Sequence, residues 1–225
     1  AAAPIEPLHE HTLLSYEKEV LGFFLSGHPL AKLERQLKMA SDCSIQDVLD
    51  GKAMGPVRIA GLIAKVQKRQ SKKTKEPWAQ FELEDLSASI TVNSFPKSFS
   101  QNSHAITTDG IVVVTGKARA QSEEENPTIE VSAEEVTPLY QAIAKFGRNI
   151  LISFSATGLE EDELKALKKL LDQHKGGVPV YLQLQLPGKE MVNVDTGKLV
   201  DLTQPLFEGL DRLVKNGSWT VESLR

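Results

Sequence analysis

The feature that most constrains the fold is a row of short strand-like segments between residues 56 and 138. In WAQFELEDL apolar and polar residues alternate, so that Ala79, Phe81 and Leu83 share one face and Trp78 lies on the other. A stretch without strand pattern, PKSFSQNSHAITTDG, separates the third segment from the fourth. The pattern predicts five short strands, which are VRIAGLIAKVQ, WAQFELEDL, SITVNSF, IVVVTGKARAQ and TIEVSAEEVTPL.

Five short strands with an interruption after the third predict an OB-fold, a partly open Greek-key barrel. Gly61 lies inside the long first strand, where a glycine favours a sharp bend or a bulge. Such a bend would let one strand serve both sides of the barrel. We therefore expect an all-β OB domain at residues 55–138.

The segments on either side of these strands have a different character. Residues 1–54 carry apolar residues at helical spacing and predict a helical segment, with Ser44 beginning a short capped helix that ends at Leu49. Residues 139–225 predict the order strand, helix, strand, strand, helix, which indicates a small α+β domain. Together the three ranges predict a multidomain chain.

Composition excludes several classes of protein. The net charge is −4, so any site for nucleic acid must be local. The single cysteine allows no internal disulfide and suits the cytoplasm, and the longest strictly apolar run, IVVV, is too short for a membrane span. Neither the histidines nor the carboxylates follow the pattern of a metal or catalytic site, so we expect neither. The chain begins with Ala1, and we expect it to be a fragment of a longer protein.

A basic cluster follows the first predicted strand. The loop between the first two strands of an OB-fold is one of the two loops that usually contact oligonucleotides. Trp78 lies just past this loop, opposite the face of Phe81, and is available to stack on a base, while Arg119 on the fourth strand extends the site. The alternative is a solvated turn that protects a sheet edge. The candidate cations are Lys65, Lys68, Arg69, Lys72, Lys73 and Lys75.

An acidic loop limits this expectation. The other loop that usually binds oligonucleotides joins the fourth and fifth strands, and here it contains Glu123, Glu124 and Glu125. Three adjacent carboxylates repel phosphate. We therefore expect weak binding that is confined to the side of Lys65 and Trp78.

Two aromatic residues near the end of the chain are candidates for contact with a protein partner. Phe207 and Trp219 would serve if their rings are exposed on the α+β domain. The alternative is that Trp219 caps the core of that domain.

Three sequence signatures resemble one family. YEKEVLGFFLSGHPL, Tyr16 to Leu30, closely resembles a segment of the bacterial replicative DNA polymerase III alpha subunit. VRIAGLIAKVQKRQSKK, followed by WAQFELED and then by FP, is similar to the OB domain of that family. The helix with an acidic start and VPVYLQLQL look like its C-terminal domain. The OB pattern alone also resembles the anticodon-binding domains of class II tRNA synthetases.

The resemblance implies a role in chromosomal DNA replication. The full protein would be a cytoplasmic DNA-directed DNA polymerase, a nucleotidyltransferase whose Mg²⁺ ions lie in a domain upstream of this chain. The chain itself would carry no catalytic site and no cofactor.

The resemblance also assigns a partner to each part of the chain. Residues 1–54 would join an upstream helix–hairpin–helix region to the OB domain, which lies near the single-stranded template. The last domain would dock the tau subunit of the clamp loader, and the sliding clamp would bind the upstream region. Two alternatives remain open, an RNA-binding OB module of a synthetase-like enzyme and a scaffold that binds only protein.

Overall fold

The computed structural model describes residues 30–121, 128–155, 160–186, 191–215 and 217–223. The helix expected before Leu30 lies outside the described residues. Within them the chain forms a closed barrel of five strands and a second sheet of four strands. No helix of the described residues is long and apolar enough to cross a membrane.

Short helices precede the barrel. A 3-10 turn at Ala31–Leu33 leads into α1, Glu34–Ala40, and then into α2, Ile45–Leu49. Ser44 caps α2 as expected, because its hydroxyl accepts from the backbone N–H of Asp47 while the Asp47 carboxylate accepts from the backbone N–H of Ser44. The predicted short helix and its start are therefore confirmed.

The five predicted strands are present and close into a barrel in the order β1-β2-β3-β5-β4. Antiparallel pairing of β1 with β4 and parallel pairing of β3 with β5 complete the circle. The predicted OB-fold is confirmed, and the barrel is closed rather than partly open. Its elements are β1 at Gly55–Gln70, β2 at Pro77–Glu84, β3 at Ser89–Ser94, helix α3 at Pro96–Asn102, β4 at Ile111–Ala120 and β5 at Ile129–Pro138.

The first strand serves both sides of the barrel. Its first half, from Gly55 to Leu62, pairs with β4, and its second half, from Leu62 to Gln70, pairs with β2. The change of partner occurs beside Gly61, where a Cβ atom would lie 2.4 Å from the backbone oxygen of Glu84. A residue with a side chain cannot fit there, which accounts for the glycine.

The second sheet has one strand more than the sequence predicts. It has the order β8-β7-β6-β9, with β6 and β7 parallel, and the additional strand is β9, which pairs antiparallel with β6. The chain enters it through helix α4. These elements are α4 at Leu139–Phe146, β6 at Gly147–Ser155, α5 at Glu161–Gln173, β7 at Lys175–Gln185, β8 at Met191–Val200, α6 at Gln204–Leu213 and β9 at Gly217–Ser223.

Two hydrophobic cores hold the described residues together. One fills the barrel around Ile59, Phe81 and Val114. The other joins the second sheet to α1 and α4, and it includes Leu62 and Val113 from the barrel wall. The second core therefore contains residues from all three predicted ranges. The exact boundaries between these ranges stay a prediction.

Phe207 and Trp219 lie in the core of the second sheet, so the expectation that their rings are exposed is wrong and the alternative of a core position for Trp219 holds. Their exposed fractions are 1% and 2%, and their rings stack with centroids 5.3 Å apart. The indole N–H of Trp219 donates to the Asp211 carboxylate over 2.9 Å. The cause is β9, a strand that the sequence did not predict, which places Trp219 opposite Ile152 in the sheet. Neither ring can serve as an exposed partner contact.

Candidate nucleic-acid interface

The basic cluster lies on an ordered hairpin between β1 and β2. The backbone N–H of Ser71 donates to the oxygen of Glu76 over 2.9 Å, and the N–H of Lys75 donates to the oxygen of Ser71 over 2.9 Å. Lys75 has a φ of 61°, which lets the chain reverse there. The turn holds Lys72, Lys73 and Lys75 exposed at the tip of the hairpin.

The strand register divides the remaining cations between two faces. Lys65 lies opposite Glu82 and Arg69 opposite Trp78, so both cations share the outer face of the barrel with the indole. Lys68 lies opposite Ala79, on the other face of the hairpin. The structure therefore brings Lys65, Arg69 and Trp78 together and turns Lys68 away from them.

An aromatic pair lies beside this group. The rings of Trp78 and Phe95 stack with centroids 5.7 Å apart, and the guanidinium of Arg69 lies 5.6 Å from the indole centroid. Phe95 is 50% exposed although it is a large apolar side chain. Sequence reasoning did not select Phe95 as a site residue, although its FP dipeptide is part of the family pattern.

A line of hydrogen bonds crosses the outer face from this group. Arg69 Nη2 donates to Gln80 Oε1 over 2.9 Å, and Gln80 Nε2 donates to Asn93 Oδ1 over 3.1 Å. Asn93 Nδ2 donates to Glu130 Oε2 over 2.5 Å, and Gln121 Nε2 donates to the same oxygen over 2.7 Å. We call these five side chains the polar ladder. The sequence did not reveal it, because its members lie on segments far apart in the chain.

Arg119 lies at the far end of the same face. It is exposed and sits opposite Glu130 in the pairing of β4 with β5. The outer face thus carries a cation near each end, with the polar ladder between them. The acidic loop with Glu123, Glu124 and Glu125 lies outside the described residues.

The chemistry of the described residues is that of a binding surface. They contain no group of three or more His, Cys, Asp or Glu side chains placed to hold a metal ion. Burial raises the pKa of the Cys43 thiol, and the carboxylates of Asp42, Asp47 and Asp85 raise it further. Cys43 is therefore a poor nucleophile at neutral pH, because only a thiolate attacks efficiently.

Comparison with known proteins agrees with the OB-fold of the barrel. A family model described as an OB-fold nucleic acid binding domain matches residues 57–139. The DNA polymerase III alpha subunit of Saccharopolyspora erythraea is 34% identical over 182 residues, which are 78% of this chain and 15% of that protein. That of Mycobacterium tuberculosis is 32% identical over 173 residues, 76% of this chain and 14% of that protein.

The chain is related to the bacterial DNA polymerase III alpha subunits. It spans about one seventh of the length of the curated relatives it matches, since the covered shares are 15% and 14%. The relationship extends to Thermus aquaticus, whose alpha subunit is 28% identical over 187 residues, 80% of this chain and 14% of that protein. The resemblance found in the sequence is thereby confirmed.

The solved structures that the comparison found are less similar to this chain. A second single-stranded DNA binding protein of Mycobacterium smegmatis is 24% identical and covers 37% of this chain and 84% of its own, with a TM-score of 0.32. The asparaginyl-tRNA synthetase of Pyrococcus horikoshii is 15% identical and covers 58% of this chain and 32% of its own, also with a TM-score of 0.32.

Proposed function

We propose that this chain is a non-catalytic region of a replicative DNA polymerase alpha subunit and that its OB barrel contacts the single-stranded template. The observation that carries the proposal is the meeting of Arg69, Trp78 and Phe95 on one face beside the basic turn. That face is formed by β2 and β3, the strands with which OB-folds bind oligonucleotides. Single strands are held by aromatic platforms and cationic grooves, and both are present here.

In this proposal the aromatic residues and the cations have separate roles. A base stacks on the exposed ring of Phe95, and the stacked ring of Trp78 supports Phe95 in that position. The exposed cations Arg69, Lys72 and Lys73 contact the phosphates before and after that base. Because the chain as a whole carries a net charge of −4, the contact is local and assists binding by other parts of the polymerase.

The whole protein, in this proposal, catalyses DNA-directed nucleotidyl transfer in the cytoplasm. The support is that the relatives named above are DNA polymerase III alpha subunits. The reaction and its Mg²⁺ ions belong to the upstream part of such a subunit, as does contact with the sliding clamp.

A salt-dependent titration tests DNA binding. With labelled oligo-dT, fluorescence anisotropy should report binding at low salt, and log affinity should fall against log salt with a slope of about −2 if the three cations Arg69, Lys72 and Lys73 contact phosphates. Replacing Arg69, Lys72 and Lys73 together by Glu should abolish binding. Oligo-rU measured in parallel tests the RNA alternative, since tighter binding of RNA would favour a synthetase-like module.

The matched control reverses charge elsewhere. Lys168 and Lys169 are exposed on α5, away from the barrel face, and their replacement by Glu should leave affinity unchanged. The DNA proposal fails if the wild-type chain does not bind at low salt, or if the barrel and the control variants lose affinity equally. Lack of affinity for any oligonucleotide would favour the protein-only scaffold.

The second sheet is proposed to dock the tau subunit of the clamp loader through its edge strand. Since Phe207 and Trp219 are buried, the candidate contacts move to β8, where Met191, Val192 and Val194 are 54%, 42% and 38% exposed. Exposed apolar groups on a sheet edge are typical of interaction sites. Capture of the chain by immobilised tau should be lost when Val192 and Val194 are replaced by Lys. Unchanged capture would exclude β8.

A further inference from the structure

The polar ladder has only one possible direction of hydrogen bonding. A guanidinium such as that of Arg69 only donates, and an ionised carboxylate such as that of Glu130 only accepts. The carboxamides of Gln80 and Asn93 lie between them, and each accepts on one side and donates on the other. Both amides are therefore fixed in orientation by the charges at the two ends.

Burial makes the middle of the ladder sensitive to the loss of an end. Asn93 is 6% exposed, so water cannot readily replace a lost partner of its amide. Without the Glu130 carboxylate, Asn93 Nδ2 loses the acceptor to which it donates, so the Asn93 side chain is no longer held in its position beside Gln80. Gln80 Nε2 would then lose a fixed acceptor, and the position in which Gln80 Oε1 accepts from Arg69 would be held less firmly.

Arg69 is the member of the ladder that would face bound DNA in the proposed function. Its Nη2 group donates to Gln67 and to Gln80, both over 2.9 Å, while its guanidinium lies over Trp78. These two bonds use Nη2 alone, so a phosphate would meet the Nε and Nη1 groups. A guanidinium held in place loses less freedom on binding than a mobile one.

We propose that Glu130 is a positioning residue for single-strand binding, which acts through Asn93 and Gln80 to hold Arg69 against Trp78. The inference rests on the proposed contact of this face with single-stranded DNA. The predicted effect of removing Glu130 on DNA affinity is opposite to the effect expected from its charge alone. Removing a carboxylate from a DNA-binding face should strengthen binding if charge alone matters. If Glu130 positions Arg69, removing it should weaken binding.

A double-mutant cycle in the 225-residue chain tests this inference. Glu130→Ala should weaken oligo-dT binding by roughly tenfold, as expected when one hydrogen bond to a charged group is lost. In an Arg69→Ala background the same substitution should leave binding unchanged or strengthen it, because the residue through which Glu130 acts is gone and only the removal of a negative charge remains. An effect of Glu130 on DNA binding that does not act through Arg69 would be the same in both backgrounds.

Glu82→Ala is the matched control. Glu82 is an exposed carboxylate on the same face, opposite Lys65 and outside the polar ladder, so its removal should leave binding unchanged or strengthen it. Should Glu130→Ala fail to fold, Glu130→Gln keeps a neutral acceptor, whose bond to Asn93 is weaker than that of the carboxylate. It should still weaken binding in the wild-type background, by a smaller factor, and should not weaken it in the Arg69→Ala background.

Two failures are distinguishable. If the wild-type chain does not bind oligo-dT at low salt, the proposed function and this inference fall together. If the wild-type chain binds but a folded Glu130 variant binds equally or more tightly, or loses the same factor in the Arg69→Ala background, only the positioning role is overturned.

Discussion

At the residue scale, Arg69 joins the two halves of the candidate interface. Its guanidinium lies over the Trp78 ring and bonds to Gln80, so one side chain links the aromatic pair to the polar ladder. The other cations of the hairpin have no such assignment and are best suited to screening phosphates. Geometry, and not the number of lysines, therefore distinguishes this face from a merely basic turn.

The aromatic pair gives the first residue-scale prediction. Phe95→Ala and Trp78→Ala should each weaken oligo-dT binding by about 1–3 kcal/mol, the range measured for one base stacked on an aromatic ring. Anisotropy titration of each variant measures the loss. Met191→Ala, at an equally exposed apolar position on β8, should bind as the wild type does. Unchanged binding by both aromatic variants would exclude stacking on this pair.

What the sequence predicted at this scale depended on local information. Trp78 was assigned to the outer face because alternation along one strand is a local pattern. The contact of Asn93 with Glu130 could not be found in the same way, because it depends on the register of β3 with β5, which are parallel and distant in the chain. The sequence left the burial of Trp219 open for the same reason, since it depends on the pairing of β9 with β6.

At the scale of elements, β1 determines the shape of the barrel. It changes partner from β4 to β2 near Gly61, and its continuation beyond the barrel carries the basic turn. The sequence predicted this bend correctly because a glycine inside a strand often marks a bulge or a tight bend at a barrel corner. A change at Gly61 should therefore affect both the fold and the position of the turn.

Gly61→Ala tests this role. The added Cβ would lie 2.4 Å from the backbone oxygen of Glu84, so the strands must separate. We expect the free energy of unfolding to fall by about 1–3 kcal/mol, as for overpacked sites in well-packed cores. Urea denaturation measures it. Gly177→Ala, where an added Cβ meets nothing within 4 Å, is the control, and equal loss in both variants would contradict the role of Gly61.

The connection between β5 and α4 predicts a dependence on pH. Lys145 Nζ donates to both carboxylate oxygens of Glu135, over 2.6 and 2.7 Å, and these bonds lower the pKa of Glu135. A lowered pKa in the folded state stabilises the fold above the unfolded pKa of about 4.3, and the effect is lost as the pH falls through the folded value.

Glu135→Gln should therefore destabilise the chain slightly at pH 7. The pair is partly exposed, so we expect a loss of about 0.2–1 kcal/mol. Urea denaturation at a series of pH values measures it, and the difference from wild type should begin to shrink as the pH falls below the unfolded pKa of about 4.3 and approach zero below the lower folded pKa. A difference that stays constant over this range would show that the pair does not titrate as described.

At the scale of the whole molecule, the barrel and the second sheet are joined by side chains. Arg58 on β1 donates to the Asp42 carboxylate over 2.6 Å, and its guanidinium lies 4.5 Å from the centroid of the Phe146 ring at the end of α4. The core of the second sheet also includes barrel residues. Composition changes along the sequence indicated three parts but could not indicate these contacts, which are long-range.

The shared core predicts that the described parts unfold together. The chain has two tryptophans, Trp78 on the barrel and Trp219 in the second sheet. In urea, the fluorescence of Trp219→Phe and that of Trp78→Phe should each change at the same midpoint as the far-UV circular dichroism of the same variant. Separate midpoints for the two signals would show that barrel and sheet are independent folding units.

The central claim is that single-stranded DNA lies on the barrel face at Trp78. The most direct measurement titrates the Trp219→Phe variant, in which Trp78 is the only tryptophan, with oligo-dT at low salt. We expect saturable quenching of Trp78 fluorescence with the midpoint that anisotropy of the labelled oligonucleotide gives for the same variant. Binding seen by anisotropy without any change in Trp78 emission would place the strand elsewhere and contradict the claim.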